Sequence, residues 1–350
     1  MSDTLPEPDC VPGALHPRDT KHLIGQDAAE ASFLEAYNTG RLHHGWLMIG
    51  PRGTGKATLA YRIARFLLSQ PMDDGGMFGA PQKPTSLETD SKHPVARRIA
   101  AGADPSLFVL RRGGAGSTES DQKKNLEAGK FAKDIRVDDV RKLNGFFNFS
   151  SAEGGRRVVI VDAADEMNVQ AANALLKRLE EPPENATLLL ISHQPSRLLP
   201  TIRSRCRELR LSPLGDSDMA NALSQALPDT DLDQGALTAL TSGSVGEAIR
   251  MTNHSGPAIY AELVGLFATI PRMDRARALR LADAAAQKGA EDKLDMLVDL
   301  IALILARLAR AGTLGITPTP EATKGEGNMI ARLSPSPHHA RRWAQAAQDV

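Results

Sequence analysis

A glycine-rich stretch, GPRGTGKA at residues 50–57, restricts the fold of this chain more than any other segment. The preceding residues 45–49, GWLMI, read as a short buried strand. The following segment, ATLAYRIARFLL, has apolar residues at helical spacing. A strand, a glycine-rich turn and a helix in succession form the phosphate-binding loop of a parallel sheet. A turn needed only for packing is the alternative, and both flanking elements favour the phosphate loop.

This phosphate loop departs from the usual pattern at its last position. Backbone N–H groups of the glycines cradle phosphates, and Lys56 reaches the outer phosphates. The next residue normally supplies a hydroxyl to Mg²⁺, but here it is Ala57. Thr58 follows about 100° further around the helix, so we do not expect it to replace that hydroxyl. The predicted nucleotide-binding residues of this degenerate site are Gly50, Gly53, Thr54, Gly55, Lys56 and Thr58.

A second motif, VVIVDAADEM, resembles the strand that ends in a magnesium-binding aspartate, the Walker B segment. Asp162 ends the buried run and is the Walker B candidate. An active ATPase of this type has a glutamate next, but here Ala163 follows. Asp165 and Glu166 come three and four residues after Asp162, so we do not expect either to take the place of the missing glutamate. The alternative is an ordinary strand-end acid, and the phosphate loop nearby favours the Walker B origin.

The distribution of strand and helix signals predicts several regions. Residues 20–212 alternate strands and helices, which predicts an α/β domain with a parallel sheet. Within it, residues 71–133 are rich in Gly, Pro, Ser and charge, and we expect a mobile insertion. Residues 1–19 are expected to be a flexible N-terminus. Residues 213–254 and 255–350 have only helical signals and predict an all-α remainder.

Composition limits the function classes. Lys plus Arg and Asp plus Glu number 42 each, so strong independent binding to DNA is not expected. The two cysteines, Cys10 and Cys206, cannot form a disulfide framework or a four-cysteine zinc site, and they suit a reducing cytoplasm. The N-terminus lacks the features of a signal peptide. The most apolar run, residues 297–308, contains charged residues and is too short to span a bilayer, so we expect no membrane association and a cytoplasmic location.

One continuous segment resembles a known family. Residues 172–206, ANALLKRLEEPPENATLLLISHQPSRLLPTIRSRC, are similar to the signature of the bacterial DNA polymerase III clamp-loader AAA+ family. In that signature a helix ending in LLKxLEEPP precedes a strand and a closing Ser-Arg-Cys. Residues 22–68 resemble the family's opening, and residues 240–251, LTSGSVGEAIRM, resemble its lid segment. The resemblance covers residues 20–255 well.

The resemblance implies an architecture and one site residue. It implies an AAA+ P-loop domain, then a small helical lid at 213–254, then an all-α collar domain for oligomerisation at 255–350. In the family, the arginine of Ser-Arg-Cys projects into the ATP site of the adjacent subunit, and here it is Arg205. Arg205 lies in a basic run, so a solvated surface or a patch that contacts phosphates is the alternative.

Three positions distinguish the subunit types of the family. Its motor subunits, called gamma or tau, keep the loop hydroxyl, an Asp-Glu pair and an arginine in the lid. Here these positions hold Ala57, Ala163 and Gly246, and Arg250 is off register. The resemblance therefore implies a stator without intrinsic ATPase activity. An active motor is the alternative, which the intact glycines and Lys56 favour, and a small-molecule P-loop kinase is a third.

The resemblance also implies partners and cofactors. The expected partners are the gamma/tau motor and delta subunits, the sliding clamp, and primed DNA held by the assembled complex. No cofactor is expected to be required, and ATP or ADP binding is left open. Family members often carry a four-cysteine zinc module after the phosphate-loop helix. Residues 71–135 contain no cysteine, so no zinc is expected.

Overall fold

Five parallel strands organise the first part of the chain. A computed structural model describes residues 5–71, 83–148, 155–227, 233–287 and 290–349. Contacts divide them into two units, one formed by residues 1–11 and 15–213, the other by 12–14 and 214–350. The strands of the first unit are β1 (Gly45–Ile49), β2 (Leu107–Arg111), β3 (Arg157–Asp162), β4 (Ala186–Ser192) and β5 (Arg207–Arg210). Their order is β2-β3-β4-β1-β5, and all pairs are parallel. The predicted parallel α/β sheet is confirmed.

Helices cover both faces of this sheet, which explains why its central strands are mostly apolar and buried at nearly all positions. The helices of this unit are α1 (Asp27–Asn38), α2 (Lys56–Ser69), α3 (Pro94–Ala100), α4 (Glu119–Glu127), α5 (Val137–Asn148), α6 (Val169–Glu180) and α7 (Pro200–Arg203), and all but α4 contribute buried residues. Trp46 and Met48 of β1 pack on one face with α1 and α2. Leu47 and Ile49 pack on the other face with α5 and α6. Adjacent residues of a strand point to opposite faces, so β1 joins both cores.

Two elements of this unit were not predicted from the sequence. The helix α4 forms in the glycine- and charge-rich stretch that predicted a mobile loop. It has no buried residue, and Thr118 caps it by accepting a 3.1 Å hydrogen bond from the N–H of Asp121. The sequence analysis assigned no element to RELR, which forms the strand β5, and only Leu209 of it is buried. Residues 72–82 of the predicted insertion lie outside the described part.

The N-terminal segment makes specific contacts from Glu7 onward. The predicted flexible N-terminus covers residues 1–19, of which 1–4 lie outside the described part. Arg18 forms an ion pair with Glu7 at 2.9 Å, and the carbonyl of Arg18 accepts a hydrogen bond of 2.7 Å from Arg65 of α2. The His16 ring contacts the Tyr61 ring edge-on, with 5.7 Å between centroids. These contacts hold His16 and Arg18 against α2.

The second unit is helical in all its described elements. They are α8 (Asp216–Ala226), α9 (Gln234–Thr241), α10 (Val245–Asn253), α11 (Gly256–Phe267), α12 (Arg275–Ala285), α13 (Glu291–Leu314), α14 (Glu326–Leu333) and α15 (Pro337–Gln348). One apolar core contains Met219 and Leu237 from the predicted lid together with Leu263, Leu300 and Ile330 from the predicted collar. Among the described residues, no helix combines the length and apolar character that a bilayer span requires.

Candidate functional site: a degenerate phosphate loop and Arg205

The phosphate loop connects the carboxyl end of β1 to the amino end of α2, as the sequence predicted. Gly50 and Gly55 have positive φ angles of 155° and 92°. A Cβ on Gly50 would lie 2.3 Å from the carbonyl oxygen of Leu211, and one on Gly55 would lie 2.6 Å from Leu23. Both positions therefore require glycine, because the loop passes tightly between its neighbours. Gly53 also has a positive φ, 74°.

Lys56, the first residue of α2, folds back onto its own loop. The side chain is buried, and its ammonium group donates hydrogen bonds to the carbonyls of Gly50, at 2.8 Å, and Pro51. Burial lowers the pKa of Lys56 to about 8, against the opposing charges of Asp162 and Asp165. Desolvation of an ammonium group disfavours its charged form, and the nearby carboxylates compensate only in part. The ammonium group of Lys56 therefore donates hydrogen bonds to carbonyl groups of its own loop.

The two threonines of the predicted site lie on either side of Lys56 and are both buried. The Thr54 hydroxyl donates a 2.9 Å hydrogen bond to the carbonyl of Pro51 and braces the loop. Thr58 lies in the first turn of α2, and Ala57 occupies the position that would carry a magnesium ligand. The loop therefore keeps the backbone and the lysine of a phosphate site while its metal hydroxyl is missing.

Asp162 ends β3 and lies close enough to Lys56 for each charge to influence the other. Burial, together with the negative charges of Asp9 and Glu166, raises the pKa of Asp162 to about 7 against the opposite effect of Lys56. Ala163, the next residue, is buried and supplies no carboxylate. Asp162 therefore titrates close to neutral pH, because its surroundings disfavour the charged form.

The acids after Ala163 are engaged elsewhere. Asp165 accepts a 3.0 Å hydrogen bond from the backbone N–H of His193. Glu166 forms an ion pair with Arg112 at 2.8 Å. That neither acid replaces the missing glutamate stays a prediction.

His193 is a residue of this edge that the sequence analysis did not single out. It follows the last residue of β4, and burial together with the charge of Lys56 lowers its pKa to about 4. The imidazole is therefore neutral at physiological pH. The sequence did contain a signal for it, since His193 is a polar residue directly after the buried run TLLLIS. The carboxyl ends of parallel strands lie together, so a residue at that position comes close to the phosphate loop.

Arg205 lies at the other end of the strands, where β1 and β5 begin. It occupies the turn between α7 and β5, just before the amino end of β5. In the register of the sheet, Arg207 pairs with Trp46, so Arg205 is level with the start of β1. The phosphate loop leaves the other end of that strand. Five residues of strand span roughly 16 Å, so Arg205 is separated from the phosphate loop of its own chain by about the length of β1.

The lid position was predicted to lack an arginine, and Gly246 lies in the first turn of α10. Arg250, one turn later, is engaged within its own unit. It forms ion pairs with Glu247 at 2.9 Å and with Asp299 at 2.6 Å.

A buried ionic cluster was also missed from the sequence. Ligand-type atoms of Glu7, Asp9 and His16 lie within 4.8 Å of one another. The Nδ1 atom of His16 accepts a 3.0 Å hydrogen bond from the N–H of Arg18, so Nε2 carries the ring hydrogen and points to Glu7 at 2.6 Å. Arg111 pairs with both carboxylates, at 2.8 and 3.0 Å. A protonated nitrogen and compensating guanidinium groups favour an ion-pair network over a metal site.

Comparison with known proteins places the chain in a family. The model of the family described as DNA polymerase III, delta subunit, matches residues 25–215, more than half of the chain. The chain belongs to this family. Within it, the chain is similar to subunits named delta-prime.

Two relatives give the extent of this similarity. The DNA polymerase III subunit delta-prime of Pseudomonas aeruginosa is 40% identical over 209 residues, 59% of this chain and 55% of the relative. The protein of the same name from Escherichia coli K12 is 32% identical over 219 residues, 62% of this chain and 56% of the relative. The chain thus spans about half the length of the curated relatives it matches. A solved structure, the Thermotoga maritima RuvB Holliday junction branch migration motor, aligns over 94% of this chain and 91% of its own, with 16% identity and a TM-score of 0.41.

Proposed function

We propose that this chain is a delta-prime-type stator of a bacterial clamp loader. It does not hydrolyse ATP itself, and it supplies Arg205 to the ATP site of a neighbouring motor subunit. The observation that carries the proposal is the position of Arg205. It lies at the amino-terminal end of the strands, whereas its own phosphate loop follows the carboxyl end of β1. An arginine there is remote from any nucleotide on its own loop and is available to a nucleotide held by another chain.

The composition of the chain's own site supports the first part. Hydrolysis needs a metal hydroxyl and a water-activating carboxylate, and positions 57 and 163 hold alanine instead. The nearest additional acids, Asp165 and Glu166, have other partners. These features favour a site that takes no part in turnover, and nucleotide binding without hydrolysis remains compatible with them.

The chemistry of arginine supports the second part. A guanidinium group is always charged and presents a planar set of donors that matches phosphate oxygens. Placed against the outer phosphate of a neighbour's ATP, it stabilises the charge that develops during transfer. The Arg205 side chain is 38% exposed, so its charged end is accessible from outside the chain.

The remaining roles follow from this assignment. The proposed partners are the gamma/tau motor and delta subunits, the sliding clamp, and primed DNA held by the assembled complex. We propose that the stator needs no cofactor of its own and no zinc.

The test is ATP hydrolysis by a reconstituted clamp loader with cognate motor and delta subunits, clamp and primed DNA. Arg205→Ala should lower the rate at the site it serves by at least about tenfold, since arginine fingers contribute about 10³ or more in related systems. Arg203→Ala is the matched control, because it removes an equal charge from an exposed position two residues away. Lys56→Ala should change the rate of the complex little. Hydrolysis by the isolated chain that Lys56→Ala abolishes would show instead that this chain is a motor.

A further inference from the structure

Three contacts within the chain hold the guanidinium group of Arg205, of which the one to the Ser204 hydroxyl, at 3.5 Å, is the longest. One terminal nitrogen, Nη2, lies 2.9 Å from a carboxylate oxygen of Glu180. The other, Nη1, donates a 3.1 Å hydrogen bond to the carbonyl of Thr201. The guanidinium group is thus oriented by the last residue of α6 and by α7 before any partner approaches.

The backbone of Arg205 is fixed as well. A Cβ on Gly45 would lie 3.1 Å from the carbonyl oxygen of Arg205 and 3.3 Å from the sulfur of Cys206. The turn is therefore pressed against the start of β1. The Ser204 hydroxyl donates a 3.1 Å hydrogen bond to the carbonyl of Thr201, which closes the turn from the other side. Glu180 therefore acts on a side chain whose backbone packs closely on its neighbours.

The position of Glu180 is unusual for a helical carboxylate. It is the last residue of α6, where Pro182 and Pro183 follow and stop the helix. The carboxyl end of a helix carries partial negative charge, so an acidic side chain there is unfavourable on its own. The positive charge of Arg205 compensates for this location.

The pair is suited to hold the arginine without burying it. Glu180 is 43% exposed and Arg205 is 38% exposed, so water weakens the attraction. A guanidinium group has five N–H donors, and the contacts with Glu180 and Thr201 use the ones that face the chain. Other donors are left to meet an incoming oxygen atom.

Given the proposed function, we infer that Glu180 is the positioning residue for Arg205. It holds Nη2 of the guanidinium group, while the N–H donors that Glu180 and Thr201 do not use meet the outer phosphate of the nucleotide on the adjacent subunit. Glu180 itself does not touch that nucleotide. Because Glu180 already orients the guanidinium group, Arg205 loses less conformational entropy when it binds the phosphate.

The experiment uses the full complex and combines two positions. Glu180→Ala and Glu180→Gln are introduced into the otherwise unchanged chain and into Arg205→Ala. The matched control is Glu181→Ala, which removes a carboxylate from the adjacent exposed residue. Steady-state ATP hydrolysis gives kcat and KM for each complex, and circular dichroism checks that each variant is folded.

Glu180→Ala should lower kcat about two- to fivefold with KM for ATP unchanged, which is the range for one exposed ion pair. Glu180→Gln should recover most of this loss, since its amide oxygen still accepts a hydrogen bond from Arg205. In the Arg205→Ala background, Glu180→Ala should have no further effect. Glu181→Ala should match the unchanged chain.

Two results overturn the inference and are distinguishable from each other. If Arg205→Ala lowers kcat but Glu180→Ala leaves it unchanged, or lowers it equally in both backgrounds, the positioning role is wrong and the proposed function stands. If Arg205→Ala leaves the rate unchanged, the proposed function fails and the positioning role fails with it.

Discussion

The ammonium group of Lys56 donates a 2.8 Å hydrogen bond to the carbonyl oxygen of Gly50, the first glycine of the same phosphate loop. A second hydrogen bond goes to Pro51, so the lysine stabilises the loop that it would have to release to bind phosphate. In an active ATPase this lysine serves catalysis. Here the contacts indicate a contribution to the folded structure of the loop.

Removal of the Lys56 side chain should therefore affect stability more than turnover. We expect Lys56→Ala to lower the free energy of unfolding by about 1 kcal/mol, because it removes buried hydrogen bonds. Urea unfolding of the isolated chain measures this change. Lys177→Ala, at an exposed position of α6, is the control and should be neutral. Equal stability of Lys56→Ala and the unchanged chain would contradict the structural role.

The raised pKa of Asp162 predicts that stability depends on pH. Burial raises it from an ordinary value of 3.8 to about 7. A folded-state pKa above the unfolded value means that the stabilising contribution is complete below about pH 4 and is lost as pH rises through 7. Asp162→Asn should therefore be more stable than the unchanged chain at pH 8, by about 1–3 kcal/mol, and the difference should shrink at pH 5.

Urea midpoints at the two pH values measure the Asp162 effect. Glu184→Gln removes a carboxylate from an exposed position of the same unit and is the control. A difference between Asp162→Asn and the unchanged chain that stays constant from pH 5 to pH 8 would show that the carboxyl group titrates normally in the folded protein.

The sequence was sufficient to predict the sheet and the phosphate loop because both have strong local signals. The strand GWLMI is buried at all five residues and leads into GPRGTGKA, so pattern and motif agree. The strand β5 was missed because it is an edge strand of four residues with one buried side chain, Leu209. Such a strand has neither a continuous apolar run nor a full alternation.

That missed strand also explains why the location of Arg205 could not be predicted. The resemblance indicated what the arginine does in the family. Its place at the amino-terminal end of the strands, away from the phosphate loop, depends on β5 pairing with β1. Strand pairing is a long-range property that the local pattern of RELR does not contain. The partnership with Glu180 was hidden for the same reason, since the two residues are far apart in the sequence.

The helix α4 shows a different limit. Its polar sequence predicted a mobile loop, and no residue of it is buried. The only local evidence for a helix is the cap at Thr118 with acidic residues in the first turn. A composition-based interpretation gives such signals too little weight.

A buried carboxylate in the helical unit predicts a large effect on stability. Glu326 is fully buried and accepts hydrogen bonds from the hydroxyl of Tyr260, at 2.5 Å, and from Arg307, at 2.7 Å. Arg307 also donates to the carbonyl of Ala239 at 2.8 Å. Glu326→Ala would leave a guanidinium group without its counter-charge inside the protein. We expect it to destabilise the unit by about 3–5 kcal/mol.

Fluorescence can report this loss for the helical unit alone. The chain has two tryptophans, and Trp343 is the one in this unit. Urea unfolding followed through Trp343 in a Trp46→Phe background gives the change. Asp295→Asn, at an exposed position of α13, is the control. A loss below about 1 kcal/mol for Glu326→Ala would mean that water replaces the missing carboxylate.

The start of β1 provides the last prediction, because the turn of Arg205 packs directly on Gly45. A Cβ there would lie 2.9 Å from Leu179 and 3.1 Å from the carbonyl oxygen of Arg205. Gly45→Ala therefore forces the turn or α6 to shift, and we expect a loss of about 1–3 kcal/mol in stability. The shift should also lower the ATPase rate of the reconstituted complex, since it moves the base of Arg205. Gly145→Ala is the matched control: nothing lies within 4 Å of its added methyl group in α5, so a gain of about 0.5–1 kcal/mol and an unchanged rate are expected. Loss of stability with full ATPase activity in Gly45→Ala would show that Arg205 tolerates displacement of its backbone.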